Sequence, residues 1–401
     1  MNTKIITRTI LLVSFVSLFT DIASEMLYPV MPVYLKSIHF SVLLIGLLEG
    51  LAEATAGLSK GYFGNLSDAK GRRVPFIRAG YTLSAISKPL LAIFTFPVWI
   101  FFARTMDRLG KGLRTSARDA LLSDEATKEN KGQVFGFHRA MDTLGATIGP
   151  IAALLFLAAH PHQYKWLFLI AFFPGIVAIA ITFFVHDKSS TQTLTKNKVA
   201  FFTYLKYWKK ADGDYRKLVT GLLAFTIFNS SDAFLLLVLK EKGFSDTSMI
   251  GFYIFYNLCY ALLSYPVGIL ADKTGLKKIL VAGLLMFAVV YGAIAFTSNV
   301  ILLGLIFLAY ALYSGATEGI SKALITNLSD KKDTATAVGF YSAFSSICAL
   351  VASSLGGLIW VTFSSKAMFL FSALGVVMVV VYFVVMFGPQ PLKKGAFETF
   401  L

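Results

Sequence analysis

The 401-residue chain is short of cysteine, histidine and charge. Its two cysteines, Cys259 and Cys348, both lie in apolar segments and lack C-x-x-C spacing, which argues against a disulfide framework and a thiolate zinc site. The five histidines (His39, His138, His160, His162, His186) are scattered and no H-E-x-x-H string occurs, so we expect no metal, no cofactor and no enzyme. Charged residues make up only 15% against 56% hydrophobic, with a mean hydropathy of +0.69. A soluble chain of this length needs more polar residues to cover its surface. Acidic residues are scarcer than basic ones, 22 against 37, giving a net charge of +15. The basic residues punctuate apolar runs instead of gathering in a polar domain, so a membrane accounts for them and no nucleic acid partner is expected.

What the chain does have is apolar runs about twenty residues long, the length that crosses a hydrocarbon core of roughly 30 Å. Twelve spans are predicted, at 9–35, 42–66, 74–95, 97–121, 134–159, 164–186, 217–240, 246–271, 277–297, 299–327, 335–361 and 364–388. The first run is too long for a signal-peptide core and is interrupted by Asp21 and Glu25, so it reads as a retained span. With both termini and the even-numbered hairpin loops on one side, that side holds 22 Lys and Arg and the other five. The positive-inside rule makes the richer side cytoplasmic, in an inner membrane crossed many times. The polar stretch 187–216 separates a first bundle, 1–186, from a second, 217–401. Its core, VAFFTYLKYWKK, reads either as an amphipathic helix on the inner leaflet or as a solvated linker.

The halves repeat each other. LKSIHFS at 35–41 pairs with LKEKGFS at 239–245, and GNLSDAKGRR at 64–73 with GILADKTGLK at 268–277, both at an offset of 204 residues. A six-plus-six duplication follows. The second pair, G-x-L-x-D-x-x-G-(R/K)-(R/K), resembles the signature loop of the major facilitator superfamily, on Gly64, Leu66, Asp68, Gly71, Arg72 and Arg73, then Gly268, Leu270, Asp272, Gly275, Lys277 and Lys278. The second copy has Leu276 where the first has Arg72. Arg104-Thr-Met-Asp107 is similar to that family's fourth-helix arginine motif, with aspartate replacing glutamine. GATIGP, with Gly145, Gly149 and Pro150, resembles the G-x-x-x-G-P motif of its proton-driven exporters, although small-xxx-small spacing also simply packs helices. The resemblance implies an all-α membrane protein of twelve transmembrane helices in two pseudo-symmetric six-helix bundles. It also implies a gate in which the loop aspartates and cations latch one face as the bundles rock.

The fourth span poses the sharpest question. Arg104, Arg108, Lys111, Arg114 and Arg118 fall within an arc of about 120° and run roughly 21 Å along one helix face. Charge at mid-bilayer costs roughly 2.5–3.5 kcal/mol, so this face cannot point at lipid. Asp21 and Glu25 in span 1, Glu49 and Glu53 in span 2, Asp107 in span 4 and Asp142 in span 5 are candidate partners. Asp232, Glu318 and Lys322 are the sparse charges of the second half, whose tyrosines Tyr253, Tyr256, Tyr310 and Tyr313 suggest a more apolar wall. These charges are expected either to carry protons and substrate or to form a permanently paired network. Arg114, Arg118 and Asp119, near the cytoplasmic end and level with Asp68, are assigned to the gate. The expected activity is alternating-access, proton-coupled efflux of a small organic anion or zwitterion by a monomer. Amphipathic drug-like substrates, import of the same anions, and a non-transporting sensor or scaffold are the alternatives.

Overall fold

The computed structural model describes residues 5–40, 42–187, 200–230 and 232–387, almost all of them α-helical. The first half holds α1 (Arg8–Glu25), α2 (Met31–Ser37), α3 (Val42–Lys70), α4 (Val74–Ile93), α5 (Pro97–Glu125), α6 (Lys131–Ala159) and α7 (Tyr164–Thr182). After a 3-10 turn, Thr203–Lys206, come α8 (Tyr207–Lys210), α9 (Gly213–Phe228), α10 (Ala233–Glu241), α11 (Asp246–Thr274), α12 (Leu276–Ile294) and α13 (Val300–Asn327). A second 3-10 turn, Lys331–Asp333, leads into α14 (Thr334–Thr362) and α15 (Ser365–Phe387).

Two of the twelve predicted spans are not continuous. Span 1 breaks between α1 and α2, where Pro29 and Pro32 supply no backbone N–H to the preceding turn. Span 7 breaks between α9 and α10 at the polar run that includes Asn229, Ser230 and Asp232. The breaks are 204 residues apart, the offset of the sequence repeat. Among the described residues, seven helices cross a membrane on length and apolar composition alone, namely α6, α7 and α11 to α15. The two broken spans and the charged α3, α4 and α5 complete the twelve. Leu155, Phe173, Leu262, Leu358 and Val385 are among many large apolar side chains exposed on the outer flank, as lipid contact requires.

Neighbour relations repeat between the halves. In the first, α1 packs with α6 and α7, α3 with α5, and α4 with α5 and α7; in the second, α9 packs with α14 and α15, α11 with α13, and α12 with α13 and α15. Exchanging the halves turns the contact of α6 with α11 into that of α14 with α3, so one two-fold relation generates both seams between them. Small residues set these distances. A methyl added to Gly149 would lie 2.7 Å from both the Ile22 carbonyl oxygen and the Met26 nitrogen, and one at Gly145 2.6 Å from the Leu18 carbonyl oxygen. The GATIGP string thus seats α6 on α1 beside Asp21 and Glu25.

The segment between the halves enters the description again at residue 200; residues 188–199 of the predicted linker lie outside the described residues. Tyr204, Tyr207 and Ala211 are buried and Trp208 stacks on Phe340, so the aromatic face of VAFFTYLKYWKK packs on protein.

Replacing Gly149 by Leu forces backbone apart where no side chain can yield, at a cost of about 1–3 kcal/mol or more. The variant should melt at lower temperature in detergent, whereas Gly251→Leu, where a Cβ meets nothing within 4 Å, should melt with the wild type.

Candidate functional site

Both signature loops sit on the face that carries the surplus of Lys and Arg, here termed the basic face. Gly71 and Gly275 end α3 and α11 at φ of 59° and 107°, a left-handed conformation that glycine adopts without a Cβ penalty. The chain turns there and leaves each loop aspartate against the start of a helix from the other half. Asp68 accepts from Thr336 N at 2.5 Å, Thr336 Oγ1 at 2.6 Å and Ala335 N at 3.3 Å, capping α14. Asp272 accepts from Gly132 N at 2.8 Å and Gln133 N at 2.7 Å, capping α6. Carboxylate at a helix N-terminus satisfies orphan N–H groups and complements the helix dipole. The first glycine of each loop makes room for it: a Cβ at Gly64 would be 2.3 Å from the Ala335 carbonyl oxygen, and one at Gly268 2.3 Å from that of Gly132. Arg73 pairs with Asp68 inside the first half, while Arg72 is exposed. Lys277 is also exposed.

Arg114, Arg118 and Asp119 do not join this latch. Arg114 donates to Ser84 at 2.9 Å and lies over the Tyr81 ring. Arg118 bonds Asp119 at 3.0 Å and Ser17 at 3.0 Å, with Asp142 at 3.9 Å. Asp119, fully buried, also meets Lys322 of the second half at 2.9 Å. Arg139 reaches Glu318 at 2.5 Å and Tyr260 at 2.7 Å. His138 lies 3.5 Å from Asp142 and 3.2 Å from Ser14. A second, ionic layer therefore joins the halves away from the loops, because a helix end is not where these side chains point: one face of α5 turns toward α1, α6 and α13.

The outer part of the α5 stripe lines an enclosed polar pocket of about 30 Å³ with Asp21, Glu25, Ser84, Ser87 and Lys88. Arg104, Arg108 and Lys111 all line it. Asp107 is drawn to α4, where Lys88 and Ser84 each sit 2.6 Å from the same oxygen. Arg108 pairs with Glu53 at 3.2 Å. Among the described residues no hydrogen bond or ion pair ties the side chains of Asp21, Glu25 or Lys111. The side chain of Glu49 lies outside the described residues.

A cavity of about 810 Å³ opens between the halves. Tyr28, Glu53 and Lys60 line it from one side; Asn229, Asp232, Tyr313, Thr317, Glu318 and Lys322 line it from the other. The wall expected to be apolar is mixed: Leu222, Phe225, Leu280 and Leu350 line it, and α14 adds Ser342, Ser345, Ser346 and Ser353. Of the tyrosines assigned to it, Tyr310 donates to Asp232 at 2.6 Å and Tyr256 bonds Ser314 at 3.0 Å, so both hydroxyls are engaged in the helix packing behind the wall. A recess of about 860 Å³ is larger, but it lies at the basic face, where Lys128 and Glu129 of the first half meet the second signature loop and the flank of α12 and α15.

The profile of the Major Facilitator Superfamily matches residues 13–257 and 219–399. The chain belongs to that superfamily. An uncharacterized MFS-type transporter of Methanocaldococcus jannaschii is 31% identical over 369 residues, 90% of each chain. A multi-drug resistance efflux pump of Streptococcus pneumoniae is 24% identical, covering 88% of this chain and 90% of its own. The crystal structure of the human organic anion transporter MFSD10 shares the fold with a TM-score of 0.76 at 16% identity, over 94% of this chain and 99% of that one. The protein is thus a multi-pass membrane transporter of the major facilitator fold.

Within this superfamily member, the sequence reading passed over Lys60 and Lys88, although a lysine inside an apolar span is itself costly enough to mark. Arg139 of α6 carries a bond between the halves. The string GLSKG at 57–61 spells the G-x-S-x-G of a nucleophile elbow, but it lies inside the continuous helix α3 with none of the strand-to-helix setting that motif needs.

Lys88→Met strands the Asp107 charge in the interior and should cost about 3–5 kcal/mol. The double variant Lys88→Met, Asp107→Leu should recover most of the lost melting temperature. A double variant no more stable than Lys88→Met would show that the pair is not what holds α4 to α5.

Proposed function

We propose that this transporter is a proton-coupled exporter of small organic anions or zwitterions, working by alternating access with its basic face toward the cytoplasm. The observation that carries the reading is the 810 Å³ cavity between the halves, lined by both signs of charge and by hydroxyls, with contacts between the halves on its basic side. The Lys60 ammonium makes no hydrogen bond or ion pair among the described residues, and so offers a cation to an anionic group. Asp232 and Glu318 supply the complement for a cationic one. A purely apolar ligand would leave these hydroxyls and ions unpaired, whereas an organic ion can use them together with Leu222, Phe225 and Leu350.

Proton coupling fits Asp21 and Glu25. Protonating either changes the charge of a small enclosed pocket that also holds Lys111. Gly145 and Gly149 hold α6 against α1 at the same height. That helix carries Arg139 to Glu318, and its first turn is capped by Asp272. A charge change on α1 thereby acts on the element whose contacts close the basic face. Export is favoured by the pneumococcal relative, named a multi-drug resistance efflux pump, which also keeps drug-like substrates as the second reading.

Counterflow in proteoliposomes against a panel of carboxylates, phosphates, zwitterions and hydrophobic cations tests this. The account expects anion or zwitterion counterflow, lowered about tenfold in Lys60→Gln through loss of one charge-assisted contact. Glu25→Gln or Asp21→Asn should abolish flux driven by a pH gradient yet retain counterflow. Gradient-driven flux that survives in both carboxylate variants would exclude this proton route.

A further inference from the structure

We propose that residues 200–211 form a clamp across the seam of α3 and α14 whose outer face binds anionic phospholipid headgroups, and that such lipid holds the basic face closed. The segment has two faces with helical spacing. Tyr204, Tyr207, Trp208 and Ala211 turn inward: Tyr204 is 2% exposed and occupies the notch left by Gly61 of α3, while Trp208 stacks at 5.5 Å on Phe340 of α14. Lys210 adds an ion pair to Asp333 at 2.6 Å, just before α14. The inward face therefore touches both halves at once, and its binding surface exists only while α3 and α14 are together.

The outward face alternates apolar and cationic groups. Phe202 is 60% and Leu205 39% exposed, and Lys206 and Lys209 lie exposed beside them. Gly61 is nine residues from the end of α3 at Lys70, so Tyr204 sits on the flank roughly 13 Å in from that helix end, while Lys210 reaches back to Asp333 at the start of α14. At that depth a transporter meets the headgroup and acyl boundary, where aromatic and leucine side chains insert and lysines meet phosphate. Apolar residues exposed to water would be a liability there; exposed to lipid they anchor. Asp212 lies beyond, capping α9 through Asp214 N at 3.2 Å. Lipid that binds the docked clamp better than the released one shifts the equilibrium toward closure by that difference. The inference needs neither the substrate nor the coupling ion, so its test is blind to both.

The test uses full-length protein with Cys259 and Cys348 replaced by Ser and the pair Asn65→Cys, Thr336→Cys, whose native side chains meet at 3.4 Å across the seam. Disulfide formation then reports closure. Its initial rate should rise roughly tenfold when vesicles of phosphatidylcholine are given about one third phosphatidylglycerol. Lys206→Gln, Lys209→Gln should remove the response, and Tyr204→Ala should slow closure in both lipids. Equal or slower cross-linking in anionic vesicles, or a full response in the lysine variant, overturns the proposal. Binding is read independently of the cysteine pair by native mass spectrometry. Otherwise unmodified protein should retain more phosphatidylglycerol than Lys206→Gln, Lys209→Gln, and equal retention also overturns it.

Discussion

Two carboxylates, each capping a helix that belongs to the other half of the chain, join the halves at the basic face. Asp68 satisfies the first turn of α14 and Asp272 that of α6, and each bond requires backbones to approach where only glycine fits, at Gly64 and Gly268. The close approaches between the halves at Gly57, Gly64, Gly132, Gly136 and Gly339 lie in the parts of these helices nearer that face. Because an orphaned helix terminus is costly away from water, the caps favour two arrangements, seated or fully solvated, over any intermediate one. Nearer the cavity, Lys322 with Asp119 and Arg139 with Glu318 repeat the arrangement in ionic form.

That arrangement also explains how a greasy chain tolerates the α5 stripe. Its outer members line the small polar pocket, its inner members the ionic layer, and none depends on lipid. The stripe meets two kinds of carboxylate: Asp21 and Glu25, whose side chains have no hydrogen bond or ion pair among the described residues, and the tightly paired Asp107, Asp119 and Asp142. Fixed pairs set geometry, whereas open ones are free to change protonation.

The twelve spans, the repeat at 204 residues and both signature loops were legible because lipid imposes length and hydropathy on each segment separately. The single-faced stripe of α5 was legible for the same reason, since helical periodicity is local. Pairing was not. Nothing in the spacing says that Asp107 turns to Lys88, that Arg118 leaves Asp68 for Asp119, or that Arg139 crosses to Glu318; these follow from how helices sit against one another. The polar wall of α14 was hidden because Ser342, Ser345, Ser346 and Ser353 look like the small residues that pack membrane helices anywhere. The breaks in spans 1 and 7 were missed, although Pro29, Pro32 and the polar run at 229–232 were signals for them.

The most direct measurement is one-sided labelling of Ser345→Cys, a cavity position on α14, in protein lacking Cys259 and Cys348. A membrane-impermeant maleimide should react from the face opposite the basic one and be excluded from the basic side. Asp68→Asn, which weakens the cap on α14, should open a route from the basic side. Equal labelling from both sides of the unaltered gate, or a gate indifferent to Asp68→Asn, would contradict the claim that carboxylate caps close this transporter.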